Sequence, residues 1–389
     1  MDRGNLSIAA PFLMRDFHLG PSSMGLLLSA FFWTYGAFQI PAGLAVDRFG
    51  IRWSYLCGFL LWSMASAGIA LSRNIHDVFF LRLLLGMAES VGPIASLTLI
   101  RQKFSERERG LPVAIYIAGQ NLGPACGALL GTALLTSIGW RGMFAYTGLG
   151  ALLWLPFWLR FTRAEKTPAA KRLTNPTSAP KSNQLFSLLS TWSFWAMSLC
   201  VFLFSYYWYF VLTWIPTYLN VARDIPMLTM GRILSAALFL MAIVNVAAGR
   251  LADRIISRGR NALPVRIGFA TAGFIGASTI LLLGTVSSHR SLLILLTVSV
   301  CFFGVASASF WALAQQIAPA SKTARIIAYL NTCSQIGGAA APIITGYTLG
   351  PEKNFSLAIA LAGLCAFASG CLLLVTGTHR FENLNLKLS

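Results

Sequence analysis

The sequence predicts an all-α polytopic membrane protein, and three observations predict it. Hydrophobic residues fill 56% of the 389 positions, charged residues only 11%, and the mean hydropathy is +0.67. A soluble domain carries roughly 25% charge. Apolar runs of membrane-crossing length recur from end to end, and the cations gather in the short polar breaks between them.

The first run is the weakest. Residues 6–14 are apolar before Arg15 and Asp16 close the stretch. Nine helical residues rise roughly 14 Å, too little for a hydrocarbon layer of about 30 Å. It reads as a first helix missing its cytoplasmic half, through an upstream start or a fragment. A secretory signal fits poorly, because Met1 leads into Asp2 and Arg3 with no basic n-region and no small-residue cleavage site. Eleven further runs, at 21–42, 53–71, 78–100, 112–137, 143–160, 189–219, 233–249, 265–286, 291–317, 326–350 and 355–378, are each long enough to span. A polar stretch at 162–183, rich in Pro, Lys, Ser and Thr, reads as a flexible linker. The expected organisation is therefore a six-helix unit at 1–161, a linker at 162–187, a second six-helix unit at 188–378 and a tail at 379–389.

Charge gives the orientation. With a cytoplasmic N-terminus, twenty-one of the 30 Lys and Arg fall on the cytoplasmic side, seven on the other, and Arg3 and Arg82 within spans. The net charge of +18 is then a topology signal matched to anionic lipid. A nucleic-acid partner is not expected, since the cations lie in short separate loops rather than on one basic face. The seven cysteines show no metal-ligand spacing and read as packing residues; neither a metal nor a cofactor is expected.

The two units also repeat. GLAVDRFGIR at 43–52 and GRLADRIISR at 249–258 share a Gly followed four residues later by Asp-Arg, each at the end of the second span of its unit. Internal symmetry of this kind is expected of carriers built from duplicated bundles. At these residues the sequence resembles the major facilitator superfamily. Gly43, Asp47, Arg48, Gly50 and Arg52 match that family's loop motif, while Gly249, Asp253 and Arg254 form a partial second copy that departs at Ile256. The resemblance implies two six-helix bundles, twelve spans with the first incomplete, around a central cavity. It implies a gate role for the motif, latching the cytoplasmic side shut. Gly43 is expected to permit a close helix approach, and Asp47 to meet a cation or a helix N-terminus.

Ionisable groups inside spans are costly and mark a pathway. All four histidines fall in loops or the tail, and of twelve acids only Asp2 and Glu89 are left inside spans. Each has a basic neighbour: Arg3 follows Asp2, and Arg82 precedes Glu89 by seven residues, two turns along nearly the same face. One reading has Arg3 and Arg82 gripping an anion, for which the guanidinium fork is suited, while Asp2 and Glu89 exchange protons. The other has satisfied buried pairs holding helices together.

The segments DRGNLSIAAP, RLLLGMAES, GWRGMF and TWIPTYL look like the anion:cation symporter branch of that superfamily, with its bacterial carriers of hexonates, hexuronates, aldarates and tartrate. This resemblance implies proton coupling through Asp2 and Glu89 and carboxylate binding by Arg3 and Arg82. It also implies hydroxyl contacts from Tyr35, Gln120 and Asn331, with Ser307, Ser309 and Trp311 as weaker candidates. Lone polar residues in spans also serve helix packing. Tyr206, Tyr207, Trp208 and Tyr209 are candidates for the cavity wall or for packing. Gly119, Gly123, Pro124, Gly127 and Gly131 resemble a motif of drug:proton antiporters and keep open an exporter of drugs or metabolites. No clustered catalytic constellation suggests an enzyme. The expected function is a proton-coupled importer of a small organic anion, a sugar acid before tartrate or an aromatic carboxylate. It is expected to work as a monomer in a bacterial inner membrane with both termini of the full-length form cytoplasmic.

Overall fold

The computed structural model describes residues 2–104, 110–162, 192–317, 323–350 and 354–388, with residues 2, 110, 111, 113, 114, 117, 118, 121, 193, 323–325 and 378–388 described by backbone only. The linker expected at 162–187 lies outside the described residues except for Thr162. Among the described residues the regular secondary structure is helical and falls into twelve long segments, with short helical stretches at 215–222 and 378–388 besides.

In chain order these are α1 (Asp2–Asp16), α2 (Pro21–Ala37 continuing as Gln39–Phe49), α3 (Ile51–Leu71) and α4 (Ile75–Lys103). Then come α5 and α6 (110–138 and 140–161), α7 (Trp192–Thr213) and α8 (Met227–Ser257). The last four are α9 (Ala262–Gly284), α10 (His289–Ile317), α11 (Thr323–Thr348) and α12 (Ser356–Gly377).

Among the described residues eight stretches are long and apolar enough to cross a membrane. The stretch Leu122–Phe161 is 40 residues long, about 60 Å of helix and twice a hydrocarbon layer. Gly139 resolves the mismatch: at φ 72° and ψ 175° it breaks the run into two antiparallel spans with a one-residue turn, a conformation that a side chain would resist. Helix α11 falls below the apolar threshold because Asn331, Thr332, Ser334 and Gln335 interrupt its middle. Helix α8 runs well beyond its apolar stretch at 233–249, so Asp253 and Arg254 lie in its last turn rather than in a loop. Asp47 and Arg48 likewise end the second segment of α2, and the connection to α3 is Gly50 alone, at φ 81°.

The two halves meet along three seams. Helix α2 runs beside α11, α5 beside α8, and α1 beside the end of α7. The first seam is tight because glycine permits it: a Cβ on Gly25 would strike the Pro342 carbonyl, and one on Gly346 would come within 2.6 Å of the Pro21 carbonyl. Small residues of this kind replace the absent hydrophobic drive between helices in lipid. On the second seam a Cβ on Gly231 would strike Thr132. All these contacts lie at the end where α1 stops and α2 begins. Toward the other end, Gln39–Phe49 packs on α3 and α4 of its own half, and Ile40 and Leu44 are exposed. The halves are thus closed at one face and part toward the face that carries the Asp-Arg motifs.

Two sequence expectations need correction. Gly43 is not a point of close approach, since a Cβ there would meet nothing within 4 Å. Cys57 and Cys126 are exposed and pack no core, unlike the buried Cys200.

Candidate functional site

The centre of the first half is built on α1, α2 and α4. Asn74 and Asp77 form a reciprocal capping box that fixes the start of α4. Farther along, Gly86 lets α4 close on α2, where Thr34 Oγ1 donates to the Leu83 carbonyl at 2.6 Å. Both helices become irregular just beyond this contact, α2 at Phe38 (φ −90°, ψ 3°) and α4 at Ser90, whose hydroxyl donates to the Met87 carbonyl at 2.7 Å and comes within 3.3 Å of the Phe38 carbonyl. Glu89 and Tyr35 sit beside these breaks. Helix α1 is held to α6 by an Asn5 amide donating to Thr147 Oγ1 at 3.0 Å and by Trp140 Nε1 donating to Asp16 at 2.8 Å.

On this frame Arg3 pairs with Glu89. Its Nη2 lies 2.7 Å and its Nε 2.9 Å from Glu89 Oε1, so both donors converge on one carboxylate oxygen. The Arg3 guanidinium also lies 4.7 Å from the Phe31 ring centre and 4.5 Å from that of Tyr35, two rings that stack on each other. Arg82 approaches Phe31 at 5.3 Å and is only 2% exposed, one of the largest fully buried side chains. The aromatic faces hold both cations by their quadrupoles where water is scarce. The pair itself remains open to the cavity, with side-chain exposures of 33% for Arg3 and 21% for Glu89.

The within-helix pairing suggested by sequence spacing is therefore corrected. Glu89 takes its counter-charge from α1, because Arg82 lies two turns away along α4 while α1 crosses directly beside the break. The side chain of Asp2 lies outside the described residues, although its backbone begins α1.

Other residues converge on the same space. Tyr209 of α7 comes against the Arg3 guanidinium and packs on Phe32 at 4.5 Å. Tyr116, near Tyr35 and Arg3, accepts a hydrogen bond from Gln120 Nε2 at 2.8 Å. Behind Gly36 sits Gln335, whose Nε2 donates to Asn331 Oδ1 at 3.4 Å and whose Oε1 has no partner among the described residues. Ser309 is 3% exposed with its hydroxyl likewise unpartnered. Ser307, by contrast, accepts from Asn245 Nδ2 at 3.0 Å and bonds the Gly304 carbonyl, a tie between α8 and α10. Trp311 packs with Phe204 and Phe310. Tyr207 is buried and bonded to Ser299 at 2.6 Å, which makes it a packing residue. Sequence reasoning missed Tyr116, Asn245 and Gln335, single polar residues whose facing an apolar span does not reveal.

The two motif copies differ. Asp47 is exposed and makes no ion pair with a described residue, while Asp253 lies 3.8 Å from Arg266 Nη2, whose Nη1 donates to the Ala312 carbonyl. Gly249, like Gly43, faces open space, and Arg52 offers its carbonyl to Trp158 Nε1 at 3.3 Å. Among the described residues no group of His, Cys, Asp and Glu is placed to hold a metal.

Comparison with known proteins decides the family. Residues 1–342 match the model described as Major Facilitator Superfamily. The chain belongs to the Major Facilitator Superfamily. It is a multi-pass membrane transporter and not an enzyme. Similar curated members of this superfamily include the hexuronate transporter of Bacillus subtilis (strain 168), 26% identical over 95% of this chain and 89% of that protein. The probable L-galactonate transporter of Escherichia coli (strain K12) is 26% identical over 96% of this chain and 84% of its own. The probable galactarate/D-glucarate transporter of the same strain is 26% identical over 97% and 91%. Among solved structures, a bacterial homologue of the human lysosomal transporter Spinster, inward-facing and unoccupied, superposes with a TM-score of 0.72 at 18% identity, covering 100% of this chain and 94% of that one. That likeness carries the fold alone.

Proposed function

We propose that this superfamily member imports a sugar acid, a hexuronate, hexonate or aldarate, together with protons by alternating access. It works as a monomer in a bacterial inner membrane, with both termini cytoplasmic. The observation that carries this reading is the Arg3–Glu89 pair, half-open to the cavity, with Arg82 buried behind Phe31. The names of the curated relatives support the substrate class.

An incoming carboxylate competes with Glu89 for the Arg3 donors, since the fork that holds Oε1 fits any carboxylate. Once displaced, Glu89 is left as a lone charge in a dry site, which is costly. Uptake of a proton removes that cost and leaves the loaded centre less charged, so that the halves can reorient. Asp2 takes the second proton in this scheme. Hydroxyls behind the carboxylate meet Tyr35, Gln120, Asn331, Gln335 and Ser309, which offer neutral donors and acceptors. Proton release toward the opened face restores the Arg3–Glu89 pair and expels the anion. The test is uptake of glucuronate, galactonate and glucarate into proteoliposomes under an imposed pH gradient. Accumulation of at least one that collapses with the gradient is expected; accumulation unaffected by the gradient refutes the coupling.

A further inference from the structure

Between the two halves at the closed face lies a cavity of about 200 Å³. Its walls come from the end of α1 (Met14, Arg15), from the stretch after α7 (Trp214, Thr217) and from the turn between α11 and α12 (Leu349, Phe355). Twelve helical residues, roughly 18 Å, separate Arg15 from Arg3 along α1. Trp214, fully buried and bonded through Nε1 to the Pro342 carbonyl at 3.2 Å, stands among the closing contacts.

Three features mark this cavity as built for a ligand. Thr217 is 3% exposed, yet its hydroxyl has no hydrogen-bond partner among the described residues. A buried hydroxyl left in that state costs roughly 1–3 kcal/mol, which a bound acceptor or donor relieves. Thr217 is also the last residue before a π-helical turn, Tyr218–Ala222, an irregularity that concentrates at functional sites. Finally, Arg15 lines the cavity with a side chain that is 74% exposed. It meets Asp16 only at 3.5 Å through Nε, because Asp16 is turned toward Trp140; its guanidinium lies 5.4 Å from the Phe12 ring centre, and no hydrogen bond holds its two terminal nitrogens among the described residues. The rest of the wall is apolar and aromatic.

We propose that this cavity is a second binding site, distinct from the Arg3–Arg82 centre, for a small monocarboxylate with a flat apolar body. Arg15 takes the carboxylate, Thr217 bonds one of its oxygens, and Met14, Trp214, Leu349 and Phe355 enclose the body. The volume suits a single ring, since a cavity of about 150 Å³ holds benzene. Because its walls belong to both halves, the site exists only while this face is closed. A ligand bound there favours the closed arrangement by its own affinity, about elevenfold at ten times its Kd. It therefore slows reopening and inhibits transport without competing for the central site.

Benzoate is the probe, with the full chain in detergent for binding and in proteoliposomes for uptake. Benzoate is expected to raise the melting temperature of wild type and of Arg82→Ala alike, and benzylamine to raise neither. Arg15→Gln weakens benzoate binding about tenfold and Thr217→Val about fivefold; neither change endangers folding, since Arg15 is exposed and the threonine hydroxyl makes no bond. In wild type, benzoate lowers the maximal uptake rate of a transported acid more than its apparent affinity. Binding that is lost in Arg82→Ala but kept in Arg15→Gln places benzoate in the centre and overturns the proposal. So does the absence of any binding at about 20 mM.

Discussion

The first half of the chain brings charge to the centre, and the second half brings only neutral groups. Arg3, Arg82 and Glu89 come from α1 and α4, held by a short two-donor contact on one carboxylate oxygen, two stacked rings and, for Arg82, deep burial. Tyr209, Asn331, Gln335 and Ser309 come from α7, α10 and α11, with one long internal bond and two hydroxyl or amide oxygens left open. The difference follows from what each chemistry tolerates. A charge in a dry site must be held by fixed partners, whereas neutral hydrogen-bonding groups tolerate waiting for a ligand that completes them. Charge is therefore settled in one half before the other closes on it.

The largest effect expected on that division comes from Arg82→Ala. Removing one member of a desolvated charge pair across a binding contact costs roughly 2–5 kcal/mol of affinity, so binding of a transported acid should fall by about two to three orders of magnitude, with Arg82→Lys failing to restore it. Calorimetry on purified protein checks this, and affinity within threefold of wild type would break the assignment. Next, Glu89→Gln should abolish accumulation driven by a pH gradient while preserving exchange of internal for external substrate; counterflow assays separate the two. A smaller loss, about tenfold in apparent affinity, is expected for Gln335→Leu with polyhydroxy acids, from removal of one or two bonds worth about 1 kcal/mol each. The same variant should handle a dicarboxylate without hydroxyls nearly as wild type does. An equal loss for both would show that Gln335 supports the helix rather than the ligand. The smallest contrast sets Ser307 against Ser309. Ser307→Ala removes one of the two bonds of the Asn245 amide, leaving that to the Gly304 carbonyl, and should lower the melting temperature slightly with affinity unchanged. Ser309→Ala removes an unpartnered hydroxyl and should leave stability level while weakening affinity a few-fold.

Much of the architecture was legible because hydropathy and turn chemistry report it directly. The runs at 112–137 and 143–160 bracket Gly139, and the Asp-Arg repeats mark corresponding helix ends in the two halves. The four ionisable candidates stood out because so few charged residues fall within or beside the apolar runs away from their ends. Their pairing did not, since Arg3 and Glu89 are 86 residues apart and the nearer spacing of Arg82 pointed elsewhere. Facing was equally hidden. A span is apolar toward lipid and toward its neighbours alike, so periodicity cannot tell the cavity side of Tyr116 or Gln335 from the packing side of Tyr207. The part played by Gly25, Gly86 and Gly346 is a matter of contact rather than composition, and the many other glycines with open space around them look no different in the sequence.

The Ser90 hydroxyl lies 3.3 Å from the Phe38 carbonyl, so the two helix irregularities meet at a single joint. From that joint Gln39–Phe49 extends as an arm of 11 residues, about 16 Å, with Asp47 and Arg48 at its tip. Glu89 is one residue from the pivot. In the proposed cycle a rotation of a few degrees at this joint would displace the tip by about an ångström, and would in that way gear the charge state of one side chain to the position of the far motif.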